Sequence, residues 1–119
     1  MCEDWQPISE EDVWREINEA WPRMDFKQRR VWDAIRILPE KWTQPRPFYA
    51  HGSWVVAIIG RTLLWYDDIE EGFVMSLWST YGAIDDDYRS GEAPLERQVQ
   101  TISMFFDPSL GTLPSEVMR

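Results

Sequence analysis

Residues 53–82 contain three apolar runs separated by short polar or glycine-containing breaks, which is typical of an antiparallel sheet. The first break, Gly60-Arg61, has the length and composition of a two-residue type II′ turn. The second break, residues 67–72, is polar and ends in glycine, as longer hairpin loops do. The pattern therefore predicts a meander of three strands, with a short fourth strand over residues 83–88.

The turn at Gly60-Arg61 determines which residues of the first two strands face each other. The pairs predicted on one face are Ile59–Thr62, Ala57–Leu64 and Val55–Tyr66. If Tyr66 pairs with Phe73, the opposite face carries Trp54, Trp65 and Trp78. We therefore expect a sheet with two apolar faces, one of which is rich in tryptophan.

Apolar stripes with helical spacing lie on both sides of the sheet segment. Ser9 is placed to cap a first helix that ends at Pro22. Asp25 is placed to cap a second helix, which runs to about Leu38. The short connection between them predicts an antiparallel helical hairpin. A last helix has Pro94 in its first turn.

Together these elements predict an α+β fold with an N-terminal helical hairpin, a three- to four-stranded antiparallel meander and a C-terminal helix packed on the sheet. We expect residues 1–107 to form this single domain and residues 108–119 to be a flexible C-terminal tail, because the tail contains prolines and no periodicity. Residues 39–52 hold three prolines and three aromatic residues, which predicts a loop that covers an edge of the core or walls a pocket.

Composition limits the class of protein. A chain of 119 residues with 44% apolar residues is long enough to bury a core and is not of disordered type. The single cysteine, Cys2, excludes an intrachain disulfide and fits a reducing compartment. The acidic start is unlike a secretion signal, and no apolar run approaches the length of a membrane span. We expect a cytoplasmic protein with no membrane partner.

The net charge of −9 is unevenly distributed, since residues 1–21 sum to −6 and residues 22–47 to +4. An acidic chain is a poor partner for a phosphate backbone, so we expect no nucleic-acid binding. The simplest interpretation of the basic segment is that it pairs with the acidic segment before it. The alternative is a local patch that binds anions.

Candidate chemistry is sparse. One histidine excludes a site built from several histidines, and residues 67–72 lack the spacing of a calcium loop, so we predict no metal, no cofactor and no catalytic residue. His51 and Ser53 are the only close pairing of a base with a hydroxyl, and no carboxylate is marked to orient them. The acidic clusters at 67–71 and 85–87 are interpreted as solvated turns. The residues of the 39–52 loop that could line a pocket are Trp42, Tyr49 and His51.

Eight tryptophans in 119 residues are the strongest functional signal. Three helices readily cover one face of a small sheet, but covering both faces is harder. The tryptophan face is therefore expected to be left open, and Trp54, Trp65 and Trp78 are predicted to bind a partner. The alternative is that the last helix or the 39–52 loop covers them.

In general character (small, acidic, tryptophan-rich, a single domain) the chain resembles the immunity proteins that neutralise bacterial toxins. We expect a non-enzymatic binding protein that acts through protein–protein contact, with the acidic surface steering it toward a basic partner and the aromatic anchors holding that partner. Two alternatives stay open: a self-associating domain that forms a homodimer through its tryptophan face, and a small-ligand binder or enzyme with a pocket near the 39–52 loop.

Overall fold

The computed structural model describes residues 6–105, so Cys2 and the predicted C-terminal tail lie outside the described residues. The helices are α1 (Glu10–Ala20), α2 (Phe26–Ile35) and α3 (Leu95–Phe105). The strands are β1 (Arg36–Trp42), β2 (Ser53–Ile59), β3 (Thr62–Asp67), β4 (Gly72–Thr80) and β5 (Ala83–Arg89). The predicted α+β fold is confirmed, with five strands instead of three to four. None of the described helices is long and apolar enough to cross a membrane.

The two N-terminal helices begin where the sequence predicts. Ser9 Oγ accepts the backbone amide of Asp12 at 3.1 Å. Asp25 and Gln28 form a reciprocal capping box, in which each side chain accepts the backbone amide of the other residue at 2.8 and 2.7 Å. A 3₁₀ turn over Trp21–Arg23 joins the helices.

The second helix ends three residues before the predicted Leu38. Residues Arg36–Trp42 form an edge strand instead, so the predicted loop is shorter and begins after Trp42. The residue before a proline resists the helical conformation, which turns the chain toward an extended path ahead of Pro39. Proline is tolerated here because the strand lies at the edge of the sheet and its pairing with β2 is irregular between Arg36 and Glu40.

The sheet has the order β1-β2-β3-β4-β5, and all neighbours are antiparallel. It curls until its two edges meet beyond the end of β1. There, Thr43 donates its amide to the carbonyl of Gly82 at 2.9 Å and accepts the amide of Ile84 at 2.8 Å. The Arg46 guanidinium then donates to the carbonyls of Asp85 and Tyr88, which caps the outer edge of β5.

A β-bulge in β2 changes the predicted faces. Val55 is opposite Trp65 and Ala57 is opposite Leu64, so Val56 is an extra residue with no partner in β3. The predicted pair Val55–Tyr66 is therefore wrong, since Tyr66 lies opposite Trp54. Further along the meander, the predicted pairing of Tyr66 with Phe73 is confirmed.

Each face of the sheet contributes to a separate apolar layer. The helix side packs residues of all three helices on the sheet, among them Val13, Val31, Trp32, Leu64, Phe73 and Val99. The other face, here called the loop side, lies under the segment between β1 and β2, and its core contains Trp42, Tyr49, Val55, Leu63, Trp65 and Val74. The second apolar face is thus covered by curvature and by a loop, which was one of the two alternatives left open by the sequence.

Candidate functional site

The three tryptophans predicted to bind a partner do not share a face. The bulge at Val56 turns Trp54 to the helix side, where its Nε1 donates to the Ile8 carbonyl at 3.0 Å. Trp65 lies on the loop side, is fully buried and donates to Ser76 Oγ at 3.0 Å. Trp78 packs at the margin of the same layer. The predicted common face is therefore wrong for Trp54, and Trp65 has no surface with which to contact a partner.

The predicted pocket residues of the loop are mostly core. Trp42 and Tyr49 are buried in the loop-side layer. The half-buried His51 has its Nε2 3.2 Å from Oδ1 of Asp68, an acceptor that the sequence did not mark. Ser53 is buried and its hydroxyl accepts the Gln44 amide at 2.7 Å, so it is not presented as a nucleophile.

A groove lies on the helix side, between α1 and the turn that joins β3 to β4. It has two lobes of about 420 and 480 Å³, which share the lining residues Glu16, Tyr66 and Glu71. The first lobe extends to Glu92 and the second to Asp68. Six carboxylates and two guanidiniums line the lobes together. We call this feature the acidic groove.

The β3–β4 turn holds Glu71 in the groove by a specific backbone arrangement. The buried Asp67 accepts the amides of Ile69 and Glu70 through Oδ1, both at 3.0 Å. Its carbonyl accepts the amide of Glu71 at 2.7 Å. Glu71 has a φ of +64°, in the left-handed region that a non-glycine residue adopts at an energetic cost. Such strained positions concentrate at functional sites.

Tyr66 forms the floor where the two lobes meet. Its ring packs edge-on against Phe73, with centroids 5.0 Å apart, and only 7% of the residue is exposed. Within residues 6–105 its hydroxyl makes no hydrogen bond. In the same range, every side-chain oxygen or nitrogen that is fully inaccessible to solvent has a hydrogen-bond partner. The Tyr66 hydroxyl must therefore reach the groove, where it is free to bind a ligand.

The two arginines of the groove leave most of its carboxylates without a counter-ion. Arg15 pairs with Asp12 on the same helix, and Arg23 pairs with Glu96 of α3 at 2.9 Å. In the described part of the chain, no ion pair involves Glu16 or Glu71. The groove therefore keeps an excess of negative charge.

This environment changes the protonation behaviour of the groove. Partial burial raises the pKa of Glu16 above its usual value, and the neighbouring carboxylates of Glu19 and Glu71 add to the rise. Burial raises the pKa of Tyr66 to about 12, with further contributions from Glu16, Glu71 and Asp68. At neutral pH the Tyr66 hydroxyl is therefore protonated and can both donate and accept.

The acidic groove has the properties of a site for an organic cation. Glu16, Tyr66 and Glu71 come from three different elements, and all three line both lobes of the groove. In the described range no three His, Cys, Asp or Glu side chains are close enough to hold one metal ion. A cation with several donors can contact these carboxylates and the hydroxyl together.

Sequence reasoning missed this groove because its residues are far apart in the chain. The sequence pattern places Tyr66 on the helix-packed face and predicts a solvated turn over residues 67–71. One signal is present: Tyr66 has a polar tip and directly precedes the acidic segment of residues 67–71. A tyrosine in that position places a hydroxyl beside the acidic turn.

No protein-family model matches the chain, and neither a curated protein nor a solved structure is significantly similar to it.

Proposed function

We propose that this protein is a non-enzymatic binding protein that acts through protein–protein contact and holds a basic partner in the acidic groove. The observation that carries the proposal is the free Tyr66 hydroxyl at the floor of a groove whose Glu16 and Glu71 take part in no ion pair of the described structure. Like charges gathered in one groove destabilise a fold, so their arrangement favours a role in recognition.

The remaining charge supports the same partner type. A net charge of −9 attracts a basic protein over long range and increases its rate of association. The groove then supplies short-range specificity, because its partly desolvated carboxylates are screened less by salt than exposed ones. Binding should weaken as ionic strength rises.

Affinity capture from native lysate tests the proposal. The wild-type chain is compared with the double variant Glu16→Gln, Glu71→Gln, which keeps the shape of the groove and removes two charges. The matched control is Glu11→Gln, Asp33→Asn, which removes two charges from exposed positions outside the groove.

We expect the wild type and the control to capture the same basic protein and the groove variant to fail to capture it. The captured protein is then purified, and its binding to all three chains is measured by titration calorimetry. Equal affinity for the wild type and the groove variant would show that the acidic groove is not the binding site.

A further inference from the structure

Resting on the proposed function, we infer that the group that the acidic groove accepts is the guanidinium of an arginine side chain of the partner. The acceptors are Glu16 on α1, the Tyr66 hydroxyl on β3 and Glu71 in the β3–β4 turn. These three residues line both lobes, so a group bound where the lobes meet can contact all three acceptors.

The geometry of the acceptors distinguishes the two basic side chains. A lysine ammonium is a compact charge with three donors, and it is best satisfied by oxygens that converge on one point. A guanidinium spreads five donors around a plane and binds carboxylates with two parallel hydrogen bonds. The acceptors shared by the two lobes are two carboxylates and one hydroxyl, and the planar group can direct separate donors to all of them.

The floor of the groove favours the same group. Tyr66 and Phe73 form an aromatic pair there, and Pro94 and Leu95 line the first lobe. Transfer of an ammonium from water onto such a surface is costly because it is strongly hydrated. A guanidinium is weakly hydrated and stacks on aromatic rings.

The chain itself contains an example of this combination. Arg89 donates to the buried carboxylate of Asp67 at 3.0 Å while its guanidinium lies 5.5 Å from the ring centroid of Trp65. A carboxylate beside an aromatic ring thus already holds an arginine on the loop side. The acidic groove offers carboxylates, a hydroxyl and a ring, and within residues 6–105 no arginine forms an ion pair with Glu16 or Glu71.

Two blocked hexapeptides of equal charge test the inference, one alternating glycine with three arginines and the other alternating glycine with three lysines. Their affinities for the wild-type chain are measured by NMR titration at low ionic strength. We expect the arginine peptide to bind about tenfold more tightly, which is the discrimination that one additional charge-assisted hydrogen bond provides.

Tyr66→Phe removes the free hydroxyl without removing any hydrogen bond of the described structure, so the fold should be unchanged. We expect it to reduce the preference for arginine to about twofold or less. Tyr88→Phe, which removes a hydroxyl outside the acidic groove, should leave the preference intact. In the wild type, the Cζ resonance of Tyr66 should move with the arginine peptide more than with the lysine peptide, a readout that needs no variant.

The outcomes separate the two proposals. Equal affinities for the two peptides, or a preference that Tyr66→Phe does not change, would overturn the assignment of a guanidinium held by Tyr66 and leave the cationic site standing. If neither peptide binds the wild type more tightly than the variant Glu16→Gln, Glu71→Gln, the proposed function itself is overturned.

Discussion

Tyr49 donates its hydroxyl proton to Oδ2 of Asp67 at 2.7 Å, and this contact joins the loop that covers one face of the sheet to the turn that lines the acidic groove on the other side. Asp67 is completely buried and also binds Arg89 of β5. One carboxylate therefore connects the loop, the third strand, the last strand and the turn that presents Glu71.

We expect Asp67→Asn to destabilise the fold by about 3 kcal/mol, because it leaves the Arg89 guanidinium partly buried without its counter-ion. Tyr49→Phe removes one hydrogen bond of the same network and should cost about 1 kcal/mol. Denaturant unfolding followed by tryptophan fluorescence measures both. A cost for Asp67→Asn no larger than that for Tyr49→Phe would argue against a buried ion pair.

Trp65→Ala should destabilise the fold by about 4 kcal/mol, because it opens a cavity in the loop-side layer and removes the hydrogen bond to Ser76. If Trp65 were instead an exposed residue that contacts a partner, the same substitution would leave stability nearly unchanged. Thermal unfolding distinguishes the two cases. A near-native melting temperature would mean that Trp65 is a surface residue, as the sequence had predicted.

Glu71→Gly should stabilise the fold by about 1 kcal/mol, because glycine adopts the left-handed conformation of this position without a steric penalty. The same variant should bind a basic partner less tightly, since it removes a carboxylate of the acidic groove. Glu70→Gly is the matched control, because Glu70 does not have a positive φ and glycine brings no relief there. Equal stability changes in the two variants would contradict the role of strain.

The raised pKa of Glu16 predicts opposite effects of pH on stability and on binding. The folded chain holds this proton at a higher pH than the unfolded chain, so the ionised carboxyl costs stability above the raised pKa and the cost disappears as the pH falls through it. Burial is the largest cause of the raised pKa of Glu16, Glu19 and Glu71 add to it, and Arg23 and Arg15 oppose it.

Glu16→Gln should therefore stabilise the fold at pH 7, by no more than about 1 kcal/mol because the groove is partly solvated. The difference between the variant and the wild type should shrink as the pH is lowered. Affinity for a basic peptide should fall over the same range as Glu16 becomes neutral. Unfolding curves and peptide titrations from pH 4 to about 8 check both trends. A stability difference between Glu16→Gln and the wild type that does not shrink as the affinity falls would contradict them.

Several features of the fold are predictable because their causes are local. Ser9 and the Asp25–Gln28 pair mark helix starts through contacts within four residues. Gly60, with a φ of +60°, forms the turn that aligns β2 with β3. The register of β4 follows from the length of the turn after Asp67, and Tyr66 does lie opposite Phe73.

The faces of the residues in β2, and with them the predicted tryptophan site, were not predictable in the same way. An extra residue at Val56 reverses the faces of the residues before it, and nothing in the alternation of β2 marks where a bulge falls. The position at which α2 ends, Ile35, depends on whether the next residues are more stable as an edge strand or as another turn of helix. That balance depends on the sheet with which the strand pairs.

The sequence by itself determined the class of fold, the caps of the first two helices, the central hairpins and the excess of negative charge, since each of these depends on neighbours in the chain. The tertiary structure decided what covers the tryptophans and where the acid charges gather. Glu16 and Tyr66 are fifty residues apart, and they meet only because α1 packs beside the end of β3. Curvature of the sheet and the packing of distant elements are collective properties, and no local pattern of residues encodes them.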